Sequence, residues 1–170
     1  MAKTHPKQYL STEAVAELAK DLHQNQKLKN GKNYFGHILS VVENVKELFP
    51  KAWPRKEGRI TSNYHWALDV ALQSAYLHDS LEDCCEESFL ERSSVDPLVI
   101  CIVRLLTKVS GPTFDYGQYL KKIKANPIAR IVKMADLEHN SKLSRASYIP
   151  GCKESRDKLV LRHVKYLKSY

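Results

Sequence analysis

Apolar residues recur along this chain at steps of three and four, the period of a helix buried along one face. In "STEAVAELAKDLHQNQ" at 11–26, Val15, Leu18, Ala19 and Leu22 share a stripe, with Ser11 or Thr12 available as a cap. "FGHILSVVENVKELF" at 35–49 repeats the pattern through Ile38, Val41, Val42, Val45 and Leu48. Residues 63–82 are largely apolar and read as one long helix central to the core. "DPLVICIVRLLTKVS" opens on Asp-Pro and is stopped by Gly111-Pro112. "TFDYGQYLKKIKA" predicts a shorter helix. "NPIARIVKMADLEHNSKLS" places Asn126 as N-cap and Pro127 at the first helical position. The last segment, "KESRDKLVLRHVKYLKSY", turns Leu159, Leu161, Val164 and Leu167 inward.

Between these stretches "NGKNY" breaks the chain, and "PKAWPRKEGR" predicts a proline-rich loop able to reach over a neighbouring site. No segment alternates apolar and polar residues between turn signals, as a half-buried strand would. The expectation is an all-α helical bundle of six or more helices. With 170 residues and 43% hydrophobic content, one domain over 1–170 with a single core fits.

Charge and cysteine content narrow the class. Lys+Arg 27 against Asp+Glu 19 leaves +8, which favours a phosphate-bearing partner. The basic residues are dispersed and form no long arm, which argues against nucleic acid. Cys84, Cys85, Cys101 and Cys152 include no C-x-x-C pair, and a domain of this size needs no disulfide staples. "MAKTHPKQYL" lacks the apolar core of a signal peptide, and no apolar run reaches membrane-spanning length. A cytoplasmic protein without a membrane partner is expected; a homo-oligomer is compatible with everything in the sequence.

Candidate chemistry gathers in "YLHDSLEDCCEE" at 76–87. On a helix His78 and Glu82 lie one turn apart, as do Asp79 and Asp83, so all four share a patch. A bound cation would relieve the repulsion; a solvated acidic helix end explains the spacing equally well. Two further residues bear on the choice. Asp136 follows Val132 and Ile128 by turns, so it falls on an apolar stripe where a lone carboxylate would cost several kcal/mol, of the order known for unpaired buried charges. His37 is followed by Val41 and Val45 at the same spacing, although a single histidine there can equally be a hydrogen-bonded core residue. Taken together, three segments offer His37, His78-Asp79 and Asp136 to one interior. Two imidazoles and two carboxylates suit manganese, iron or zinc better than calcium. Such an ion activates water at neutral pH.

In this order, H…HD…D on successive helices resembles the HD phosphohydrolase superfamily. "NGKNYFGHILSV", "AYLHDSLED", "LLTK" and "VKMADLEHN" are more specifically similar, in order and spacing, to the hydrolase domain of the RelA/SpoT family and its small stand-alone alarmone hydrolases. The resemblance covers residues 27–143. It implies a manganese ion on His37, His78, Asp79 and Asp136, with Glu82 and Asp83 orienting or deprotonating the attacking water. It implies removal of pyrophosphate from the 3′ position of a guanosine alarmone. Lys29, Lys32 and Lys133 become candidates for screening the diphosphate, Asn140 for the ribose and metal-site edge, and Tyr34 for shaping the nucleotide pocket. The chain departs from the family at Leu28, where an arginine usually precedes the lysine, and at Leu143, where a threonine is usual. An adenosine alarmone or another 3′-phosphorylated nucleotide is therefore an alternative substrate. With 170 residues, the chain has no room for the synthetase domain of the longer relatives. Two competing readings are a broader HD nucleotidase acting on nucleoside monophosphates, and a non-catalytic nucleotide-sensing domain. The retained Glu82 and Asp83 argue against the second, since a purely structural ion does not require them.

Overall fold

Local capping defines where the helices begin. In the computed structural model, which describes residues 8–53, 63–109, 111–146 and 153–169 (the side chains of 142–146 and 153–160 lie outside it), Ser11 Oγ accepts from the Ala14 N–H at 3.2 Å and opens α1, Thr12–Leu22. Asp96 accepts from the Leu98 N–H at 2.7 Å at the head of α6, Pro97–Leu106. Asp115 does the same for Gly117 and Gln118 before α7, Tyr116–Ala125. Asn126 Oδ1 receives the Ile128 and Ala129 N–H groups, both at 3.0 Å, at the start of α8, Pro127–Ala146. Each such cap is worth about 1 kcal/mol. The remaining helices are α2 Phe35–Ala52, α3 Tyr64–Leu77, α4 Ser80–Asp83, α5 Glu87–Arg92 and α9 Lys153–Lys168. Among the described residues there is no strand, only an isolated antiparallel bridge between Lys27 and Asn33. The all-α class expected from the periodicity is the one found.

The core forms where α2, α3, α6 and α8 meet. Ala67, Ala71 and Ala75 recur every fourth residue on α3 and are fully buried. Their small side chains suit a helix packed against α1, α2, α6 and α8. Helix α8 is buried on every side over Ile131–Leu137, a stretch that includes Lys133 and Asp136. A helix enclosed in this way has to neutralise its charges internally.

Four sequence expectations change, the first being that α2 runs through Pro50 to Ala52, into what the sequence offers as the start of the proline-rich loop. The single helix over 63–82 is broken: α3 ends at Leu77, Asp79 takes φ −104 and ψ −1, and α4 starts at Ser80. That conformation lies in the sparsely populated bridge region where active-site residues often sit. The six-residue α5 was not anticipated, because "ESFLER" is too short to display a period; Leu90 buries it and Glu87 ties it to Arg104 of α6. On α9, Val164 and Leu167 are buried but Leu161 is 56% exposed. Each three-residue step rotates the stripe by about 60°, which carries Leu161 off the packed face. The side chain of Leu159 and residues 54–62, most of the proline-rich loop, fall outside the described residues. Cys84, Cys85 and Cys101 are free thiols, and Cys152 also falls outside.

Candidate metal centre

The break between α3 and α4 creates the centre. On a continuous helix adjacent side chains diverge by about 100°. Here His78 closes α3, Asp79 precedes α4, and the imidazole Nε2 stands 2.9 Å from the Asp79 Oδ2. The first turn of α2 brings His37 to the same point, with Nε2 3.6 Å from Asp79 Oδ2. From α8, Asp136 Oδ1 lies 3.6 Å from His37 Nε2 and 3.8 Å from His78 Nε2. Donor atoms of His37, His78 and Asp79 all fall within 4.8 Å of one another. Donors about 2.1 Å from a shared ion and roughly at right or tetrahedral angles sit about 3.0–3.4 Å apart, so these separations are of the right scale.

Hydrogen bonding aims the ligands. The Ala75 carbonyl lies 2.8 Å from His78 Nδ1, and a carbonyl can only accept, so Nδ1 carries the proton. The opposite nitrogen, Nε2, is buried with no hydrogen-bond partner despite the nearby Asp79 oxygen. An orphaned buried imidazole nitrogen, directed between two carboxylates and a second imidazole, fits a divalent ion. His37 differs in that its Nδ1 is buried without a partner. Asp79 Oδ2 accepts from the Tyr34 hydroxyl at 2.5 Å. Asp136 Oδ2 accepts from Lys133 Nζ at 2.8 Å and Oδ1 from Asn140 at 2.7 Å.

The protonation states follow from this crowding. Burial opposes charge on His78, but the Asp79 carboxylate and then Asp136 outweigh it, raising the imidazole to about 9. Burial likewise works against ionised Asp79, and His78 with the surrounding donors holds it well below the ordinary range. Asp136 is kept low against its own burial by Lys133 and His78. Lys133 is driven up by Asp136, again against desolvation. The Tyr34 phenol is raised by burial and by Asp79, so it stays a donor. Each carboxylate thus lies beside a group whose cationic form it favours, His78 and Lys133.

The other expected residues separate into groups. Glu82 and Asp83 occupy α4, and their N–H groups bond the Asp79 carbonyl at 3.2 and 3.0 Å. Both side chains are exposed at the rim, Glu82 receiving the Lys108 N–H and Asp83 the Gln26 amide. Lys29 and Lys32 are exposed on a hairpin turned by Gly31 at φ +80, a conformation glycine adopts without strain. Lys133 is not on that surface: it is 6% exposed, lying between Asp136 and the Tyr119 ring. Tyr34 and Asn140 each bond a candidate ligand carboxylate. Leu28 is half-buried at the hairpin base; the Leu143 side chain lies outside the described residues. Sequence reasoning passed over His23, Gln26 and His139, whose ring lies 4.9 Å from that of His37. For His139 the signal was present: it adjoins Asn140, one turn beyond Asp136.

No family model matches the chain, and no curated protein matches it in sequence. A solved structure does match. It belongs to a metazoan orthologue of SpoT, described as hydrolysing ppGpp and playing a role in starvation responses. The identity is 18%, the TM-score 0.63, and the match covers 98% of this chain and 89% of that one. The chain is therefore similar in fold, over nearly its whole length, to that ppGpp-hydrolysing protein.

Proposed function

We propose that this protein is a metal-dependent phosphohydrolase that removes pyrophosphate from the 3′ position of a purine nucleotide alarmone. The observation that carries the reading is the convergence of His37, His78, Asp79 and Asp136 beside the exposed Glu82–Asp83 pair. The likeness in fold to a ppGpp hydrolase supports it. These four residues would hold Mn2+ or another divalent transition ion. When bound, the ion supplies Lewis acidity and lowers the pKa of a water.

The chain's own groups provide the rest. The Asp79 carbonyl accepts the Glu82 and Asp83 N–H groups, which ties the α4 backbone to the cluster, and these two carboxylates are assigned to the attacking water. They take its proton as its oxygen attacks the 3′-linked phosphorus. The bond from that phosphorus to O3′ breaks, O3′ gains a proton, and pyrophosphate departs. Lys29 and Lys32 screen the diphosphate. Lys133 contributes by holding Asp136, while Tyr34 and Asn140 stand between the ligands and the nucleotide.

The test is incubation with Mn2+ and guanosine or adenosine 3′-pyrophosphates, alongside ordinary nucleotides, with products separated by chromatography. Pyrophosphate from an alarmone is the expected product, and Glu82→Ala keeps metal but loses at least ~10²-fold in rate, the usual scale for a general base. Orthophosphate from monophosphates alone, or full turnover by Glu82→Ala, contradicts the reading.

A further inference from the structure

His23 is fully buried, polar, and remote from the ligand set in sequence. It ends α1, and its Nδ1 lies 2.6 Å from Gln26 Oε1. The same amide reaches on: Gln26 Nε2 donates to Asp83 Oδ2 at 2.9 Å. The direction of this relay is fixed at its far end. A carboxylate oxygen accepts, so the amide turns its NH2 to Asp83 and its carbonyl to His23, which makes Nδ1 the donor. The imidazole also stacks on Tyr34, with centroids 5.3 Å apart and planes at 22°, and the Tyr34 hydroxyl bonds Asp79. Cys84, next in the chain after Asp83, packs its Sγ 3.3 Å from Nδ1. A single buried ring thus connects, through Gln26 and Tyr34, to the carboxylates at the two ends of α4, Asp83 and Asp79.

We propose that His23 and Gln26 are positioning residues which orient Asp83 for proton handling, an inference that rests on the function proposed above. Asp83 ends a four-residue helix with an exposed side chain, and such a carboxylate samples several rotamers. Gln26, held in turn by a fully buried histidine, reduces that freedom before substrate binds. A histidine serving only to fill the core would need no more than a backbone carbonyl as partner.

The experiment is steady-state kinetics on the full chain with Mn2+ and a guanosine 3′-pyrophosphate. Gln26→Glu still accepts from His23 but offers Asp83 no donor; kcat falls about 10-fold or more, on the scale of misplaced catalytic groups, with KM and Mn2+ affinity unchanged. His23→Leu gives a similar loss. His23→Asn, which returns a donor near the Nδ1 position, recovers much of it. Both His23 variants lose the stack on Tyr34, so their difference reports the donor alone. Equal kcat in those two, or full kcat in Gln26→Glu, overturns the proposal. Should His23→Leu not fold, Gln26→Glu in the half-buried segment after α1 carries the test. A wild-type chain inactive on every nucleotide refutes the proposed function instead. Crystal structures then decide the positioning: Asp83 is displaced in Gln26→Glu if the inference holds, and unmoved if it fails.

Discussion

His78 and Asp79 touch in a nearly dry site, and neither has the charge state it would take alone. With the imidazole raised to about 9 by its carboxylate neighbours, the metal-free protein holds a proton on the nitrogen that would ligate. A divalent ion has to displace it. Mn2+ affinity is therefore expected to rise about tenfold per pH unit below pH ~9 and level off above, with about one proton released per ion at pH 7. Calorimetry in buffers of different ionisation enthalpy measures this; a pH-independent affinity between 6 and 8 contradicts it. Lys133 offers a second test. Deleting its charge leaves Asp136 buried beside Asp79, and breaking such pairs costs about 3–5 kcal/mol. Lys133→Met should lose that much stability in metal-free denaturation and less with Mn2+ present, because the ion replaces the missing cation. A metal-free loss under about 1 kcal/mol would count against the pairing seen here.

Among elements, legibility followed burial pattern. Helices with a clear stripe, such as α2, or a side-chain cap, such as α8 with Asn126, begin where their spacing puts them, although α2 runs on through Pro50 to Ala52. The broken α3–α4 segment did not, because apolar periodicity reports which face is buried and is blind to the dihedral angles of one residue. Its consequence is functional, since the interruption allows two adjacent side chains to face one point. Helix α7 was legible, but its link to the site through Tyr119 was not. The Tyr119 hydroxyl donates to the Leu106 carbonyl, and burial pushes the phenol up to about 12. A folded-state pKa above the unfolded value of ~10 gives stability fully present below pH 10 and lost as pH rises through 12. Tyr119→Phe should cost about 1 kcal/mol at pH 7 for the lost hydrogen bond. It should also flatten the decline between pH 10 and 12. An unchanged alkaline limb would place that titration elsewhere.

At the scale of the molecule, the helical period announced the bundle; His37, His78, Asp79 and Asp136, singled out in the sequence, lie close together, and the fold likeness at 18% identity is to a ppGpp-hydrolysing protein. What remained hidden was how the surroundings act. Lys133, a candidate for screening the diphosphate in the sequence, is buried by the enclosure of α8 and bonds Asp136 instead. His23 and Gln26 carry no recognisable spacing relative to Asp83, since contact between them exists only once the segment after α1 meets α4. No helix among the described residues is long and apolar enough to cross a membrane. The proposed function depends on four side chains from three helical segments sharing one ion. Electron paramagnetic resonance titration of Mn2+ into the wild-type chain and Asp79→Ala tests this most directly. One tightly held ion per chain, lost in the variant while its helical content is retained, is the predicted result; no bound ion in the wild type, or equal binding by the variant, would contradict it.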